Sequence, residues 1–324
     1  MPAVYAGSEA WPHEAAAVAV GNFDGVHAGH RAVLDVLRER AAHVGAVPTV
    51  YTFDPAPTVV LAPERHQPRI LTLGDRIQRL GEAGIDAVVV EPFTRAFADQ
   101  PAEWFAEEVL ARRMNARVVV IGHDFRFGAR RAGNVEALRR WLPHVEIVLV
   151  EAHTEGDQVV SSSRIRRLVA AGEVEAATLL LGRPHALHGR VVMGDQRGRL
   201  LGFPTANLEN EVELTPADGV YAVRASIDGG EPWPGVMNIG QRPTFAGRER
   251  RTEVHLLPPE DPGDGRLAAL IGDGLYGRNL RAELIARLRG ERRFEGVDAL
   301  RTQIAVDADA AREKLRETLR EGQA

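Results

Sequence analysis

Val20-Gly-Asn-Phe-Asp-Gly-Val-His-Ala-Gly-His30 follows a short apolar run, residues 15–20, and leads into a helical pattern that begins at Arg31. Apolar run, glycine-rich turn and helix start, in that order, describe a strand-to-helix junction. Gly21, Gly25 and Gly29 let the backbone approach a ligand closely, and the helix start presents N–H groups to an anion. His27 and His30, beside those amides, can donate to phosphate oxygens and stabilise charge that develops during transfer. A tight turn carrying two exposed histidines is the plainer reading of the same residues. The convergence of glycines, polar groups and a helix start favours an anion site, in a turn that also holds Asn22, Phe23 and Asp24.

Working outward, the first half alternates apolar runs with amphipathic stretches. Strands are expected over 18–20, 48–53, 87–90, 117–121 and 146–150, and helices over 31–43, 73–83, 102–114 and 135–142. Strict alternation implies βαβ units and a doubly wound parallel sheet covered on both faces. Ligands of such sheets sit beyond the carboxyl ends of the strands, which puts the opening motif and Gly122-His-Asp-Phe-Arg-Phe-Gly128, with Asp124, along one edge. Helices over 162–171 and 174–181 follow, the second ended by Gly182-Arg-Pro184. Beyond it, alternating runs at 189–193, 220–227 and 252–257, separated by turns without helices, read as an antiparallel β-barrel closed by a helix over 297–319. Two domains are therefore expected, 1–184 and 185–324.

Composition narrows the chemistry. A chain of 324 residues with 44% hydrophobic and 26% charged residues suits two soluble domains with their own cores. A net charge of -5 argues against nucleic acid as a partner. There is no cysteine, so disulfides, thiolate nucleophiles and cysteine-held zinc are excluded. Neither a signal-peptide pattern nor an apolar run of membrane-spanning length is present, so a cytoplasmic protein without a membrane partner is expected, with self-assembly left open. Lys314 is the only lysine, which excludes a Schiff-base site elsewhere and any Gly-Lys-Ser/Thr phosphate loop. Phosphates handled here must meet arginine, histidine, backbone amides and metal.

Ser161-Ser-Ser-Arg-Ile-Arg166 opens a helix with three hydroxyls and two arginines; Ser162 and Arg166 suit phosphate, and an ordinary serine N-cap is the alternative. Arg126, Arg130 and Arg131 add positive charge or belong to a solvated loop. In Gly194-Asp-Gln-Arg-Gly-Arg-Leu-Leu-Gly-Phe-Pro-Thr-Ala-Asn207, Gly194 and Gly202 permit a backbone wrap and Arg199 a phosphate contact, unless the stretch is only a hairpin turn. Thr205 and Asn207 present two hard oxygens on one side of an extended backbone, a donor set for Mg²⁺. Glu253, in an alternating run, is a candidate general base or an exposed strand residue.

Together these motifs resemble the bifunctional riboflavin kinase/FAD synthetase family of prokaryotes over nearly the whole chain. The first half resembles its FMN adenylyltransferase module through residues 21–30, Thr52-Phe-Asp-Pro55, residues 122–128, Gly133-Asn134 and residues 161–166. The second resembles its riboflavin kinase module through residues 194–207, Asp218-Gly-Val-Tyr221, Asn238-Ile-Gly240, Pro243-Thr-Phe245, Glu253-Val-His255 and Leu275-Tyr-Gly277. The resemblance implies that riboflavin, FMN and ATP are substrates. Glu253 would be the kinase base, Thr205 and Asn207 the Mg²⁺ ligands, and loop 194–202 the nucleotide cover. His27 and His30 would stabilise the adenylyl group in transfer, with Ser162 and Arg166 on the pyrophosphate. The chain departs from the family pattern at Ala56, where histidine is usual, at Ser163, where threonine is usual, and in a longer connection from 257 to 275. A kinase with a silent first half, or a nucleotide sensor without turnover, are the competing readings.

Overall fold

The computed structural model describes residues 1–194, 203–244, 247–258 and 273–321. Two compact units divide the chain, Met1–Ser162 and Ser163–Ala324.

The first unit is a six-stranded, wholly parallel sheet in the order β1-β4-β3-β2-β5-β6. Its strands are β1 (Ala3–Ala6), β2 (Ala16–Val20), β3 (Val47–Asp54), β4 (Ala87–Pro92), β5 (Ala116–Gly122) and β6 (Glu146–Val150). All five residues of β2 are buried, as a central strand covered on both faces requires. Helices α1 (Ala28–Val44), α2 (Pro57–Leu61), α3 (Leu73–Glu82), α4 (Arg95–Ala98), α5 (Ala102–Trp104) and α6 (Val135–Trp141) connect the strands. The helix expected over 102–114 starts as α5 and continues as a π-helix, Phe105–Arg113. Strand β1 is an addition to the expected set. After β2 the chain adds β3 and β4 on one side, then returns to place β5 and β6 on the other. The crevice between the carboxyl ends of β2 and β5 is therefore the topological switch point, where ligands of open parallel sheets bind. A short hairpin, β7 (Thr154–Glu155) with β8 (Gln158–Val159), ends the unit.

The second unit holds most of α7 (Ser162–Ala171), then α8 (Val174–Leu181) and a closed barrel, β10-β13-β12-β11-β14-β9, all of whose pairs are antiparallel. Its strands are β9 (Ala186–Val192), β10 (Ala206–Asn210), β11 (Gly219–Ile227), β12 (Trp233–Thr244), β13 (Gly247–Leu256) and β14 (Asn279–Arg289). Leu187, Val191, Leu208, Met237, Ile239, Val254 and Leu284 fill one core cluster. Helix α9 (Val297–Glu321) packs Ala308, Ala311 and Leu315 on Ala222, Leu257, Ile285 and Ala286. Lys314, on an exposed face of α9, pairs with Glu317 at 2.8 Å.

A buried ion pair locks α9 to β14. Arg289 donates from Nε to Asp307 Oδ1 at 3.0 Å and from Nη2 to Oδ2 at 2.7 Å, and Gln303 Nε2 donates to Oδ1 at 2.9 Å. With one partner removed, the other is left as a largely buried charge. Asp307→Ala is expected to cost about 3–5 kcal/mol of stability. Urea unfolding followed on the barrel unit measures it; a loss under about 1 kcal/mol would mean that water already solvates this guanidinium.

Candidate active sites

The first site grows from the end of β2. Phe23 (φ 47°), Gly25 (φ 94°) and Val26 (φ 40°) all lie in the left-handed region. Glycine adopts that conformation without penalty, but a phenylalanine and a β-branched valine there each store about 1–3 kcal/mol of strain. The turn persists because it is held from several sides. Phe23 and Val26 are buried. The Asp24 carboxylate, also buried, accepts the N–H groups of Ile70 (3.0 Å) and Leu71 (3.2 Å). Ser162 Oγ donates to the Asp24 carbonyl at 2.8 Å. Asp24 thus faces inward beneath the turn, and the Ser162 hydroxyl is engaged on its backbone.

The strained turn delivers His27 to the N-cap of α1. Its Nδ1 accepts the His30 N–H at 3.3 Å, so that nitrogen carries no proton and Nε2 is the ring's donor. The two imidazoles stack at 3.6 Å with 16° between their planes, and Phe23 lies 5.1 Å from the His30 ring. Gly29 packs closely here: a Cβ there would sit 3.3 Å from the His27 ring and 3.4 Å from the Val160 carbonyl. With the His30 amide used in the cap, the N–H groups of Ala28 and Gly29 remain in the first turn without an intrahelical carbonyl. Gly21 and Asn22 lead into this turn, and Gly21 donates its N–H to the Tyr51 carbonyl at 3.0 Å.

Across the switch point, the loop after β5 is closed by reciprocal backbone bonds between Phe127 and Gly133 (2.9 and 3.2 Å), and Asn134 caps α6. Asp124 is exposed in this loop. Phe125 and Phe127 stack at 5.3 Å, while Phe53, Phe93 and Phe97 meet edge to face at the ends of β3 and β4. Arg166 lies in α7, in the second unit, four residues after Ser162.

Sequence reasoning missed Arg76. It is only 4% exposed, and burial pulls its proton affinity down against the opposing pull of Asp24 and Asp54. The available signal was its position: it shares the apolar stripe of α3 with Leu73, Ile77 and Leu80. Arg69, also missed, pairs with Asp54 at 2.9 Å.

The second site is on the outer face of the barrel. Registration places Asn207 of β10 opposite Glu253 of β13, and Glu253 opposite Asn238 of β12. Directly paired residues share a face, and Ala206, Val254, Met237 and Ile239 hold the inner one. Asn207, Glu253 and Asn238 therefore form a polar row across three strands, and Thr205 lies just before β10, two residues ahead of Asn207. Gly194 closes over the row: a Cβ on it would overlap the Asn207 amide. Arg199 and Gly202, expected in the covering loop, lie outside the described residues, as does most of the long connection after Leu257.

Beside the row, Phe203, His255, Leu257, Ala305, Ala308 and Arg312 line a cleft of about 320 Å³. His255 donates from Nδ1 to the Pro204 carbonyl at 2.8 Å, and burial, with Arg312 nearby, holds its pKa below the ordinary histidine value. It is neutral at pH 7, with Nε2 as an acceptor. Among the described residues no cluster of three His, Asp or Glu side chains could cage a metal, and no helix is long and apolar enough to cross a membrane.

Comparison with known proteins agrees with this division. A family model of FAD synthetase matches residues 9–164, and one of riboflavin kinase matches residues 181–315. The bifunctional riboflavin kinase/FMN adenylyltransferase of Escherichia coli strain K12 is 38% identical over 304 residues, covering 93% of each chain. Its counterpart from Bacillus subtilis strain 168 is 35% identical over 297 residues, 91% of this chain and 90% of that one. The solved structure of a macrolide-efflux protein from Streptococcus pneumoniae superposes with a TM-score of 0.83 at 29% identity, over 95% of this chain and 98% of that one. With both family models matched in order, and more than nine-tenths of its length aligned to such relatives, the chain belongs to the bifunctional riboflavin kinase/FMN adenylyltransferase family.

Proposed function

We infer that this chain makes FAD from riboflavin in two ATP-dependent steps, each at its own site. Riboflavin is phosphorylated to FMN on the outer face of the barrel. FMN is then adenylylated, with release of pyrophosphate, at the switch point of the parallel sheet. The observation that carries the reading is the occurrence of two chemically complete polar sites in two separate units: the His27–His30 stack on a helix start, and the Asn207–Glu253–Asn238 row.

In the first step Glu253 takes the proton of the ribityl 5′-hydroxyl as its oxygen attacks the γ-phosphorus, and ADP departs. Thr205 Oγ1 and the Asn207 side-chain oxygen are hard neutral donors that suit Mg²⁺ sharing ATP phosphates, and such a cation, when bound, neutralises their charge. The cleft at His255 begins two residues along β13 from Glu253, about 7 Å, the reach of a ribityl chain. We assign it to the isoalloxazine ring, with its apolar walls against the flavin faces.

In the second step a phosphate oxygen of FMN attacks the α-phosphorus of a second ATP. The His27 and His30 rings and the amides of Ala28 and Gly29 stabilise the charge gathering on the transferring group. Arg166 is assigned to the pyrophosphate side, Ser162 to holding the turn through the Asp24 carbonyl, and Gly21, Asn22 and Phe23 to the nucleotide. Phe53, Phe97 and Phe125, each partly exposed, offer ring faces to a second isoalloxazine. Neither step forms a covalent enzyme intermediate. A cytoplasmic location belongs to the same reading, since ATP is a co-substrate of both steps.

Incubation with riboflavin, ATP and Mg²⁺ is expected to yield FMN first and FAD after it, resolved by chromatography. Accumulation of FMN with no FAD would reduce the chain to a kinase, and recovery of unmodified riboflavin would leave only a binder.

A further inference from the structure

A buried cation in the first unit has no part in the chemistry above. Arg76 projects from α3 into the base of the strained turn. Its Nη1 donates to the Asn22 carbonyl at 2.8 Å and its Nη2 donates to the Phe53 carbonyl at 3.1 Å. Those carbonyls belong to different elements, one to the turn after β2 and the other to the last residues of β3. The fork geometry of a guanidinium is what allows one side chain to hold both.

This is an expensive group to bury for stability alone. The nearby carboxylates are engaged by other donors: Asp24 by the amides of Ile70 and Leu71, and Asp54 by Arg69. Arg76 therefore makes no direct salt bridge with either among the described residues, and its Nε is buried without a hydrogen-bond partner. Its neighbours on the α3 stripe, Leu73, Ile77 and Leu80, are apolar, and an apolar residue here would satisfy the packing. Replacing a buried charge by an apolar group of similar volume is often neutral for stability or better. What an apolar group lacks is the rigid link between two strand ends.

The turn needs such links. Positive φ at Phe23 and Val26 persists only where the surroundings over-determine the backbone. Asp24 tethers its middle and Ser162 its Asp24 carbonyl, whereas Arg76 holds its first residues. His27 follows four residues after the Phe23 that Asn22 precedes, so a shift at Asn22 passes along a short, strained path to the imidazole stack.

We propose that Arg76 is a positioning residue of the adenylyl-transfer site, fixing through the Asn22 and Phe53 carbonyls the turn that aims His27. The proposal rests on the reading of that site as the FMN adenylyltransferase centre.

The test is single-turnover conversion of FMN to FAD with the full chain in saturating excess over FMN. Under that condition a smaller folded fraction leaves the rate constant unchanged, whereas a misplaced His27 lowers it. Arg76→Met keeps the length and removes both donors; its rate constant is expected to fall about 10- to 100-fold, the scale of a misplacement near 1 Å. Arg76→Lys keeps the charge but cannot bridge both carbonyls, and a fall of roughly three- to tenfold is expected. Phosphorylation of riboflavin, carried by the other unit, serves as the control and should stay within about twofold in both variants. An Arg76→Met rate constant within twofold of the parent overturns the proposal, as does an equal fall in the kinase step. Should Arg76→Met lose the melting transition of the first unit, Arg76→Lys decides, and a parental rate constant there overturns it. The two failures are distinct. A parent chain that makes no FAD removes the site reading and the proposal together, while parental turnover with an unaffected Arg76→Met removes the proposal alone.

Discussion

Glu253→Gln will leave a chain that still turns FMN into FAD but forms FMN from riboflavin about 10²–10⁴-fold more slowly, the usual contribution of a general base. The amide keeps the shape of the side chain and its place in the row between Asn207 and Asn238, so the barrel registers are undisturbed. What it loses is the capacity to accept the 5′-hydroxyl proton. Two assays run side by side read the effect, one started from riboflavin and the other from FMN, each with ATP. A kinase loss below tenfold would make Glu253 an ordinary strand residue. A parallel loss in the FMN-started assay would mean that the two sites are not independent.

His27→Ala will do the reverse, lowering FAD formation by about 10²–10³-fold, the cost of one donor at a site of developing charge. The alanine variant also loses the N-cap acceptor for the His30 amide, worth about 1 kcal/mol of stability in α1. His27→Asn separates the two effects, because asparagine caps helices well but has no imidazole to stack on His30. It is expected to recover the stability and not the rate. His30→Ala should likewise stop at FMN, which then accumulates. Full activity in His27→Asn would assign the residue to capping alone.

Much of this arrangement was legible in the residues because it rests on local pattern. The apolar runs and intervening helices announced the parallel sheet, and the turn-separated alternating strands announced the barrel. The 105–113 segment read as an ordinary helix, since Phe105, Ala106, Val109 and Leu110 recur at a spacing that does not distinguish the two hydrogen-bond periods. Strand β1 escaped because its four residues are mostly exposed and sit at the sheet edge. The polar row was half legible: Thr205, Asn207 and Glu253 could be named, but the register that aligns Glu253 with Asn207 and Asn238 is a tertiary fact. Asp24 read as part of the anion site, yet its partners are amides 46 and 47 residues away, beyond any local pattern. Arg76 was hidden for a related reason. Its place in the apolar stripe of α3 marks it as buried, but the carbonyls it joins lie 54 and 23 residues away in the chain.

The lone lysine has a practical corollary. Amine-reactive dyes and resins can attach to this chain only at Lys314 and the amino terminus, and Lys314 stands on an exposed face of α9, outside the lining of the His255 cleft. With the amino terminus blocked, Lys314 is the single remaining amine, and the chain can be tethered through α9 in one orientation.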